Sequence, residues 1–290
     1  MPPAQPAPTT APPLHLHLIA FSEASRAMVP PGWQVLDNLD NPRPDWYEYW
    51  PIRRFLLEQT LDEQAFYGFF SPKFPAKTQL SLADVQRFVL QHAHEADVLV
   101  FSPQPDMGAF FLNVFEQGEA FDSGLIDAYE ALLAHAGRAQ ALRPLVMDSR
   151  QIVFSNYFVA RPAFWREWLA LNEALFTVCE GHDTGAPAAL RAALTQGTSY
   201  RTGDQAAERK VFLMERAASL ILATQPRFRS LAHNPFGFGW SVSRFRQHPT
   251  EAYISDALKR AWRDQPWPQF MQAYATVRDR FQKSELPREP

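Results

Sequence analysis

Two short segments of the chain are apolar enough to need protein on both sides. Residues 96–101 read ADVLVF, residues 65–70 read AFYGFF, and a Ser-Pro dipeptide follows each. Residues 14–21 (LHLHLIAF) form a third segment of this kind. Strands without regular polar alternation are typical of a parallel sheet that helices cover on both faces. The sequence therefore predicts an α/β protein with a mostly parallel sheet flanked by helices.

The length limits the number of domains. A chain of 290 residues with 46% hydrophobic residues can form one large core, because single cores stop growing near ~250–300 residues. The Pro-, Ala- and Thr-rich residues 1–13 are predicted to be a disordered leader. We expect an α/β domain over residues 14–232 and a helical C-terminal extension, residues 233–290, packed on it.

The positions of several elements follow from local patterns. The Asn-, Asp- and Pro-rich residues 32–46 are predicted to be loop, and the aromatic helix that follows is expected to be broken or bent near Pro51. Residues 143–147 and 152–160 are predicted to be strands. Further helices are predicted over residues 81–92, 109–119, 124–135, 164–176, 186–195, 206–224, 251–264 and 269–282.

Charge and cysteine content narrow the classes of partner. The formal net charge is -3 and the basic residues are spread along the chain, so nucleic acid is not an expected partner. Cys179 alone forms neither an internal disulfide nor a cysteine zinc site. Without a signal-peptide pattern or an apolar run of ~18 residues, a cytoplasmic protein without a transmembrane segment is expected. Peripheral membrane contact is an open alternative to packing for the C-terminal aromatic residues that lie among arginines: Trp240, Phe245, Trp262, Trp267 and Phe270.

The two Ser-Pro loops are candidate ligand-binding segments. Ser71 is followed by Lys73 and Lys77, and Ser102 is followed by Asp106. Loops after neighbouring parallel strands open on one edge of a sheet, where ligands of α/β proteins bind. The lysines could hold a diphosphate there, and Asp106 could hold Mg²⁺ or Mn²⁺ as a cofactor. Ordinary turn chemistry with solvated lysines is the alternative, and no Asp-x-Asp triplet supports the metal.

Polar side chains interrupt two apolar segments. Asn113 and Gln117 lie within one helical turn, where they would bind sugar hydroxyls or simply face solvent. Asn156 and Tyr157 interrupt a predicted strand, and a buried polar group costs ~1–3 kcal/mol unless it is partnered. The second pair is therefore the more unusual candidate for a binding site.

Charged residues on two helices complete the set of candidates. Glu215 and Arg216 lie in the middle of an apolar helix, so they are exposed, paired with each other or part of a site in which Glu215 is the base. Arg53 and Arg54 lie outside the apolar stripe of an aromatic helix and are candidates for binding phosphate.

Five segments together resemble a known family. YGFFSPKFPAKT, ADVLVFSPQPD, NVFEQGE, SNYFVARPAFWREWL and VFLMERAASLIL, in this order, are similar to glycosyltransferase-like proteins of bacterial polysaccharide loci. The resemblance covers residues 14–224 and implies a GT-A-like fold, in which a Rossmann-like sheet binds a sugar nucleotide. It also implies that a late helix with Glu215 and Arg216 closes the acceptor side. The missing Asp-x-Asp departs from metal-dependent members of that fold.

Three functions stay open at this point. The resemblance implies a glycosyltransferase that moves a sugar from a nucleotide sugar to a glycan or other hydroxyl acceptor in surface polysaccharide synthesis. A non-catalytic carbohydrate-binding or assembly protein and an unrelated α/β enzyme that uses a nucleotide are the alternatives. For the transferase, Asp106 or Glu215 would be the base, and Lys73, Lys77, Arg53 or Arg54 would neutralise the leaving diphosphate. The residues expected to bind substrate are Ser71, Lys73, Lys77, Ser102, Asn113, Gln117, Asn156, Tyr157 and Arg216.

Overall fold

The computed structural model describes residues 11–202 and 205–285 of the chain. Most of the predicted leader, residues 1–13, lies outside the described residues. The strands are β1 (Leu14–Ala20), β2 (Gln34–Asp37), β3 (Phe66–Phe70), β4 (Val98–Val100), β5 (Phe158–Ala160), β6 (Gly197–Thr202), β7 (Gln205–Glu208) and β8 (Ser230–Ala232). The helices are α1 (Glu23–Ala27), α2 (Tyr49–Glu58), α3 (Phe74–Thr78), α4 (Leu82–His92), α5 (Pro105–Ala109), α6 (Val114–Glu119), α7 (Leu125–His135), α8 (Pro162–Cys179), α9 (Ala188–Leu194), α10 (Arg209–Thr224), α11 (Pro249–Asp264) and α12 (Pro268–Glu285).

A six-stranded sheet forms the centre of the fold, in the order β2-β1-β3-β5-β4-β8. The pairs β1–β2, β1–β3 and β4–β8 are parallel. Strand β5 lies between β3 and β4 and is antiparallel to both. The sheet is therefore mostly parallel, as predicted, with one reversed strand near its middle. A separate antiparallel hairpin consists of β6 and β7.

The centre of the sheet is buried on both faces because β3, β4 and β5 carry no polar side chain other than the Tyr67 hydroxyl. Phe66 and Phe70 of β3 belong to one core, whereas Tyr67 and Phe69 belong to the other, since successive side chains of a strand point to opposite faces. On the second face α8 packs against β3, and Trp165 Nε1 donates to the Tyr67 carbonyl at 3.0 Å. The α/β architecture with helices on both faces is thus confirmed.

Several predicted helices have the expected ends. Helix α4 begins after Ser81, whose hydroxyl accepts from the Asp84 backbone N–H while the Asp84 carboxylate accepts from the Ser81 N–H. This reciprocal pair satisfies two backbone donors of the first turn. Helix α2 begins at Tyr49, so Pro51 lies in its first turn. A proline there removes no intrahelical hydrogen bond, so the helix continues past Pro51 to Glu58.

Other element predictions were wrong. Residues 34–37, expected to be loop, form the edge strand β2, because pairing with β1 outweighs their polar composition. Residues 143–147 form no strand, and only residues 158–160 of the predicted strand over 152–160 pair in the sheet. The predicted helix over residues 109–119 is two short helices, α5 and α6, and the hairpin of β6 and β7 was not predicted.

The helical C-terminal part packs on the α/β part through buried polar contacts. Lys259 Nζ donates to the carbonyls of Gly108 and Phe111 at 2.7 and 2.8 Å. Asp256 accepts from the backbone N–H and the hydroxyl of Ser149 at 2.7 and 2.8 Å. Each contact joins α11 to a loop or helix more than a hundred residues earlier in the chain. These contacts fix the extension against α5 and the loop that precedes β5.

No helix in the described part of the chain is both long and apolar enough to cross a membrane.

Gly68 is the position in the central strands where a side chain has least room. A Cβ there would lie 2.9 Å from Val159 Cγ2 and 3.0 Å from the Phe70 ring. We expect Gly68→Ala to lower the free energy of unfolding by about 1–3 kcal/mol, because overpacking a filled core costs that much. Denaturant unfolding measures the change. Gly185→Ala is the control, since only Asp183 Oδ1 lies near its Cβ, at 3.4 Å; equal stability of the two variants would contradict the packing argument.

Candidate functional site

The candidate site lies at the edge of the sheet where β1, β2, β3, β4 and β8 end. Because β5 runs in the opposite direction, its beginning lies at this same edge. Tyr157, just before β5, therefore meets Ser71, just after β3, and their hydroxyl oxygens are 2.7 Å apart. Ser102, just after β4, accepts from the Phe154 backbone N–H at 2.9 Å. The two Ser-Pro loops thus open on one edge, although β5 separates their strands.

The turn into β5 has an unusual backbone. Ser155 and Asn156 have φ values of 60° and 54°, a left-handed region that non-glycine residues rarely adopt. The Asn156 side chain is buried; its Nδ2 donates to Met214 Sδ at 3.3 Å, and its Oδ1 has no hydrogen-bond partner. Strained backbone and an unpartnered buried oxygen each cost free energy, and such costs are found most often at functional sites.

Lys77 of α3 reaches into this corner. Its Nζ donates to Ser155 Oγ at 2.9 Å and lies 5.6 Å from the centre of the Tyr157 ring. Burial lowers the pKa of Lys77, while the nearby carboxylates of Glu215 and Glu48 oppose this shift. Lys77 is therefore a cation held in a recess, with two carboxylates within electrostatic range.

Glu215 of α10 is the first of these carboxylates. Its side chain is half-buried and is closely surrounded by protein atoms. Burial, together with repulsion from Glu48, raises the pKa of Glu215 to about 7, against the opposing effects of Arg216 and Lys77. Near neutral pH this carboxyl group can both take up and release a proton, which is the property that a general base or acid needs.

Glu48 is the second carboxylate, and the sequence analysis did not select it. It directly precedes α2, after Tyr47, whose φ is 46°. Burial raises the pKa of Glu48, while its own backbone N–H, Lys77 and Lys73 lower it. The available signal was an acidic residue inside the aromatic run WYEYW of residues 46–50, a setting in which a carboxylate needs a specific reason to be retained.

Asp106 does not fit either role proposed for it. Its carboxylate is 0% exposed and accepts from the Ser241 N–H at 3.0 Å, from the Ser241 hydroxyl and from the Ser243 hydroxyl at 3.1 Å. Its oxygens are therefore used in joining α5 to the C-terminal part. Among the described residues there is also no group of three or more His, Cys, Asp or Glu that could hold a metal ion.

Three more candidates have structural contacts in place of a binding surface. Asn113 caps α6 and donates to the carbonyls of Leu142 and Leu145 at 3.1 and 2.7 Å. Gln117 accepts from Arg216 at 2.7 Å, and the buried Arg216 also donates to a backbone carbonyl of α6. Gln117 and Arg216 therefore fix α6 against α10, whereas Asn113 fixes α6 against residues 142–145.

The two predicted phosphate-binding arginines are engaged elsewhere. Arg53 donates to both carboxylate oxygens of Glu173 on α8, at 2.5 and 2.9 Å. Arg54 donates to the Asp37 carbonyl at 2.5 Å, at the end of β2. Lys73, in contrast, is exposed and lies within electrostatic range of Glu48. Of the predicted cations, the structure brings Lys77 and Lys73 to the two glutamates.

A small hollow of about 20 Å³, with room for about one water molecule, lies at the same edge of the sheet, beyond β4. Its lining includes Ser102, Gln104, Ser149 and Phe236. Gln104 has a φ of 59°, and its backbone N–H donates to the Gly239 carbonyl at 2.8 Å. Polar side chains and an aromatic ring thus line a hollow next to the second Ser-Pro loop.

Protein-family models, curated proteins and solved structures were compared with the chain. None matches. The candidate site is therefore defined by the residues at this edge alone. They are Glu48, Lys73, Lys77, Ser155, Tyr157 and Glu215.

The raised pKa of Glu215 gives a prediction for stability. A folded-state pKa of about 7 against an ordinary 4.5 means that the folded chain holds this proton more tightly than the unfolded chain, so stability is lost as pH rises from 4.5 through about 7. Glu215→Gln removes this loss of stability, because glutamine does not ionise. We expect the variant to melt at a higher temperature than wild type above pH 7, with the difference vanishing below about pH 4.5.

Glu63→Gln is the matched control. The exposed Glu63 pairs with Arg166 at 2.7 Å, and this hydrogen bond lowers the pKa of Glu63, so its loss should not stabilise the protein at any pH. Thermal melting across a pH series compares the two variants. A Glu215→Gln variant less stable than wild type above pH 7 would contradict the recessed-carboxylate argument.

Proposed function

We propose that the chain is a glycosyltransferase that moves a sugar from a nucleotide-sugar donor to a hydroxyl group of a glycan or another acceptor. The observation that carries the proposal is the position of Glu215, with a pKa of about 7, within electrostatic range of Lys77 at the carboxyl edge of the sheet. This edge is where open α/β sheets bind their ligands.

The proposal includes a GT-A-like fold and a place in surface polysaccharide synthesis in the cytoplasm. It rests on the mostly parallel sheet with helices on both faces and on the resemblance of the five segments quoted above. Two of these segments contribute residues to the site, namely Lys77 from YGFFSPKFPAKT and Glu215 from VFLMERAASLIL.

Glu215 would be the base of the transfer. The acceptor oxygen forms a bond to the anomeric carbon of the donor while the bond from that carbon to the phosphate oxygen breaks. The proton of the acceptor hydroxyl passes to the Glu215 carboxylate, and the nucleoside diphosphate leaves with the bonding electrons. A base with a pKa near the working pH suits this step because it is largely deprotonated and still a good proton acceptor.

Lys77 would neutralise the leaving diphosphate. Its ammonium group is oriented by Ser155 Oγ at 2.9 Å and has two further N–H donors for phosphate oxygens. A fixed cation in a recess stabilises developing negative charge more than the same cation in water. Exposed Lys73 lies within electrostatic range of Glu48 and would add a second, more weakly held charge.

A divalent cation has no step in this mechanism. Asp106, the predicted metal ligand, is buried, and its carboxylate accepts hydrogen bonds from Ser241 and Ser243. Its oxygens therefore do not fit a metal site that must also contact substrate. Assays should still be run both with Mn²⁺ and with a chelator, so that an ion bound elsewhere does not hide the result.

The first prediction for this proposal concerns turnover. Glu215→Gln should lower the rate of sugar transfer by about 10²–10⁴-fold, the usual contribution of a general base. The wild-type rate should rise with pH through about 7, the pKa of Glu215. Release of nucleoside diphosphate from a panel of nucleotide sugars measures both. Glu63→Gln, with an exposed carboxylate outside the site, should keep the wild-type rate, and equal rates for both variants would contradict the role of Glu215.

The second prediction concerns nucleotide binding. A nucleoside diphosphate at about 100 times its dissociation constant should stabilise the folded chain by about 2.7 kcal/mol, seen as a shift in melting temperature. Lys77→Met should weaken this binding by about 10–100-fold, because hydrogen bonds to charged groups contribute about 1.5–3 kcal/mol. Lys73→Met should weaken it less, since Lys73 is exposed.

Arg166→Met is the control for nucleotide binding, because Arg166 pairs with Glu63 away from the site. A folded sample that no nucleotide stabilises would overturn the transferase proposal. Stabilisation by glycans alone, unchanged in Glu215→Gln, would instead support the alternative of a non-catalytic carbohydrate-binding protein.

A further inference from the structure

An apolar patch is exposed on the C-terminal part, beside the carboxyl edge of the sheet. The outer patch consists of Phe236, Trp240, Val242, Tyr253 and Ile254. Val242 is 95% exposed, Tyr253 46% and Ile254 43%, while Phe236 and Trp240 are half-buried. Large apolar side chains that lie together on a surface indicate an interaction site, whereas scattered ones do not.

The three aromatic rings of the outer patch form a continuous surface. The Phe236 ring is 4.7 Å from the Tyr253 ring and 6.3 Å from the Trp240 ring, and Trp240 is 6.3 Å from Tyr253. Val242 follows Ser241, whose side chain points inward to Asp106. Ile254 is the neighbour of Tyr253 on α11. Three aromatic rings from two segments therefore meet on one side of the molecule, and the exposed Val242 and Ile254 adjoin them in the sequence.

The segment that carries the outer patch is firmly attached to the site. The Gly239 N–H donates to the Lys77 carbonyl at 2.8 Å, and the Gly239 carbonyl accepts from the Gln104 N–H at 2.8 Å. The backbone between Phe236 and Val242 is thus bonded to the helix that carries Lys77. Whatever contacts the outer patch lies beside the mouth of the candidate site.

Charge is distributed unevenly between this part of the chain and the rest. Residues 225–290 contain eleven Lys and Arg but six Asp and Glu, whereas the whole chain has a formal net charge of -3. The C-terminal part is therefore positive and the preceding part is negative. Arg246 lies in the segment between Val242 and α11, and Arg260 lies on α11, the helix that carries Tyr253. Both arginines are exposed.

This combination favours one kind of partner. Trp and Tyr rings with aliphatic neighbours suit the boundary between lipid headgroups and acyl chains. Each Lys or Arg near an anionic bilayer adds about 1 kcal/mol of attraction. A second copy of the chain is disfavoured, because a symmetric dimer would bring the same patch, with its arginines, against itself.

We propose that the outer patch docks the protein on the surface of an anionic lipid bilayer, with the carboxyl edge of the sheet next to the membrane. No described helix crosses a membrane, so the contact is peripheral. The aromatic residues that suggested membrane contact from sequence are only partly the right ones. Phe245 is buried at 1% exposure, and Val242 and Tyr253 were not among those residues. The inference does not depend on sugar transfer.

Vesicle co-sedimentation of the full chain tests the proposal. The protein should bind vesicles that contain phosphatidylglycerol, bind vesicles of phosphatidylcholine alone more weakly, and dissociate as salt screens the arginines. Val242→Asp should reduce binding to the anionic vesicles at least about tenfold, because it replaces an inserted apolar side chain with a charge of the wrong sign. Val242 is 95% exposed and makes few contacts in the fold. The melting temperature of the Val242→Asp variant should therefore equal that of wild type.

Leu57→Asp is the matched control, since Leu57 is 54% exposed on α2, which is neither of the two segments that carry the outer patch. It introduces the same charge and should bind vesicles like wild type. Equal binding by both variants, or equal binding to neutral and anionic vesicles, would overturn the proposal. A wild-type protein that binds no vesicles and forms a dimer in light scattering would also overturn it, if Val242→Asp dissociates that dimer. The patch would then be an interface between two copies.

Discussion

The reversed direction of β5 determines where the chemistry of this molecule can lie. A strand inserted between β3 and β4 in the parallel sense would end at the edge where those strands end. Because β5 is antiparallel to both, it begins there instead, and the turn before it brings Ser155 and Tyr157 to that edge. The left-handed φ values of Ser155 and Asn156 belong to this turn. Ser71 then has Tyr157 as a hydrogen-bond partner, and Lys77 has Ser155.

Ion pairs hold together the two segments that carry the glutamates. Lys210 is almost fully buried, and its Nζ lies 2.8 Å from an oxygen of Asp45 and 2.8 Å from an oxygen of Glu208. Asp45 is three residues before Glu48, and Lys210 is five residues before Glu215. The pair therefore joins the turn before α2 to the first turn of α10. Partners of this kind are needed wherever a charge is buried, and here they also set the spacing of two carboxylates.

The sequence was informative about the site where a residue's position follows from a strand end. Lys77, Tyr157 and Glu215 were all selected, since two of them lie next to strands and the third is a charge in an apolar helix. Asp106 was selected by the same reasoning and lies at the same edge, but its partners Ser241 and Ser243 are over a hundred residues away. Nothing in the local pattern reveals such a contact.

Glu48 was missed for the converse reason, because its proximity to Lys77 arises only when α2 and α3 pack around the same edge. The reversal of β5 and the edge strand β2 likewise depend on pairing with distant strands.

The site combines several features that cost stability: a turn with two left-handed residues, an amide oxygen of Asn156 without a partner, and the Glu215 carboxyl group, whose pKa is raised by burial and by repulsion from Glu48. The surrounding helix can tolerate them because most of α10 is buried and its Arg216 donates to Val114 and Gln117 of α6 and to the Phe212 carbonyl. A sequence selected for stability alone would place an apolar residue at position 215, where the helix is otherwise apolar. Retaining a carboxyl group that gives up its proton only near neutral pH makes sense if a ligand or a reacting group uses that proton. An anionic ligand beside Lys77 would raise the pKa of Glu215 further, which makes its carboxylate a stronger base and moves the pH needed to deprotonate it upward.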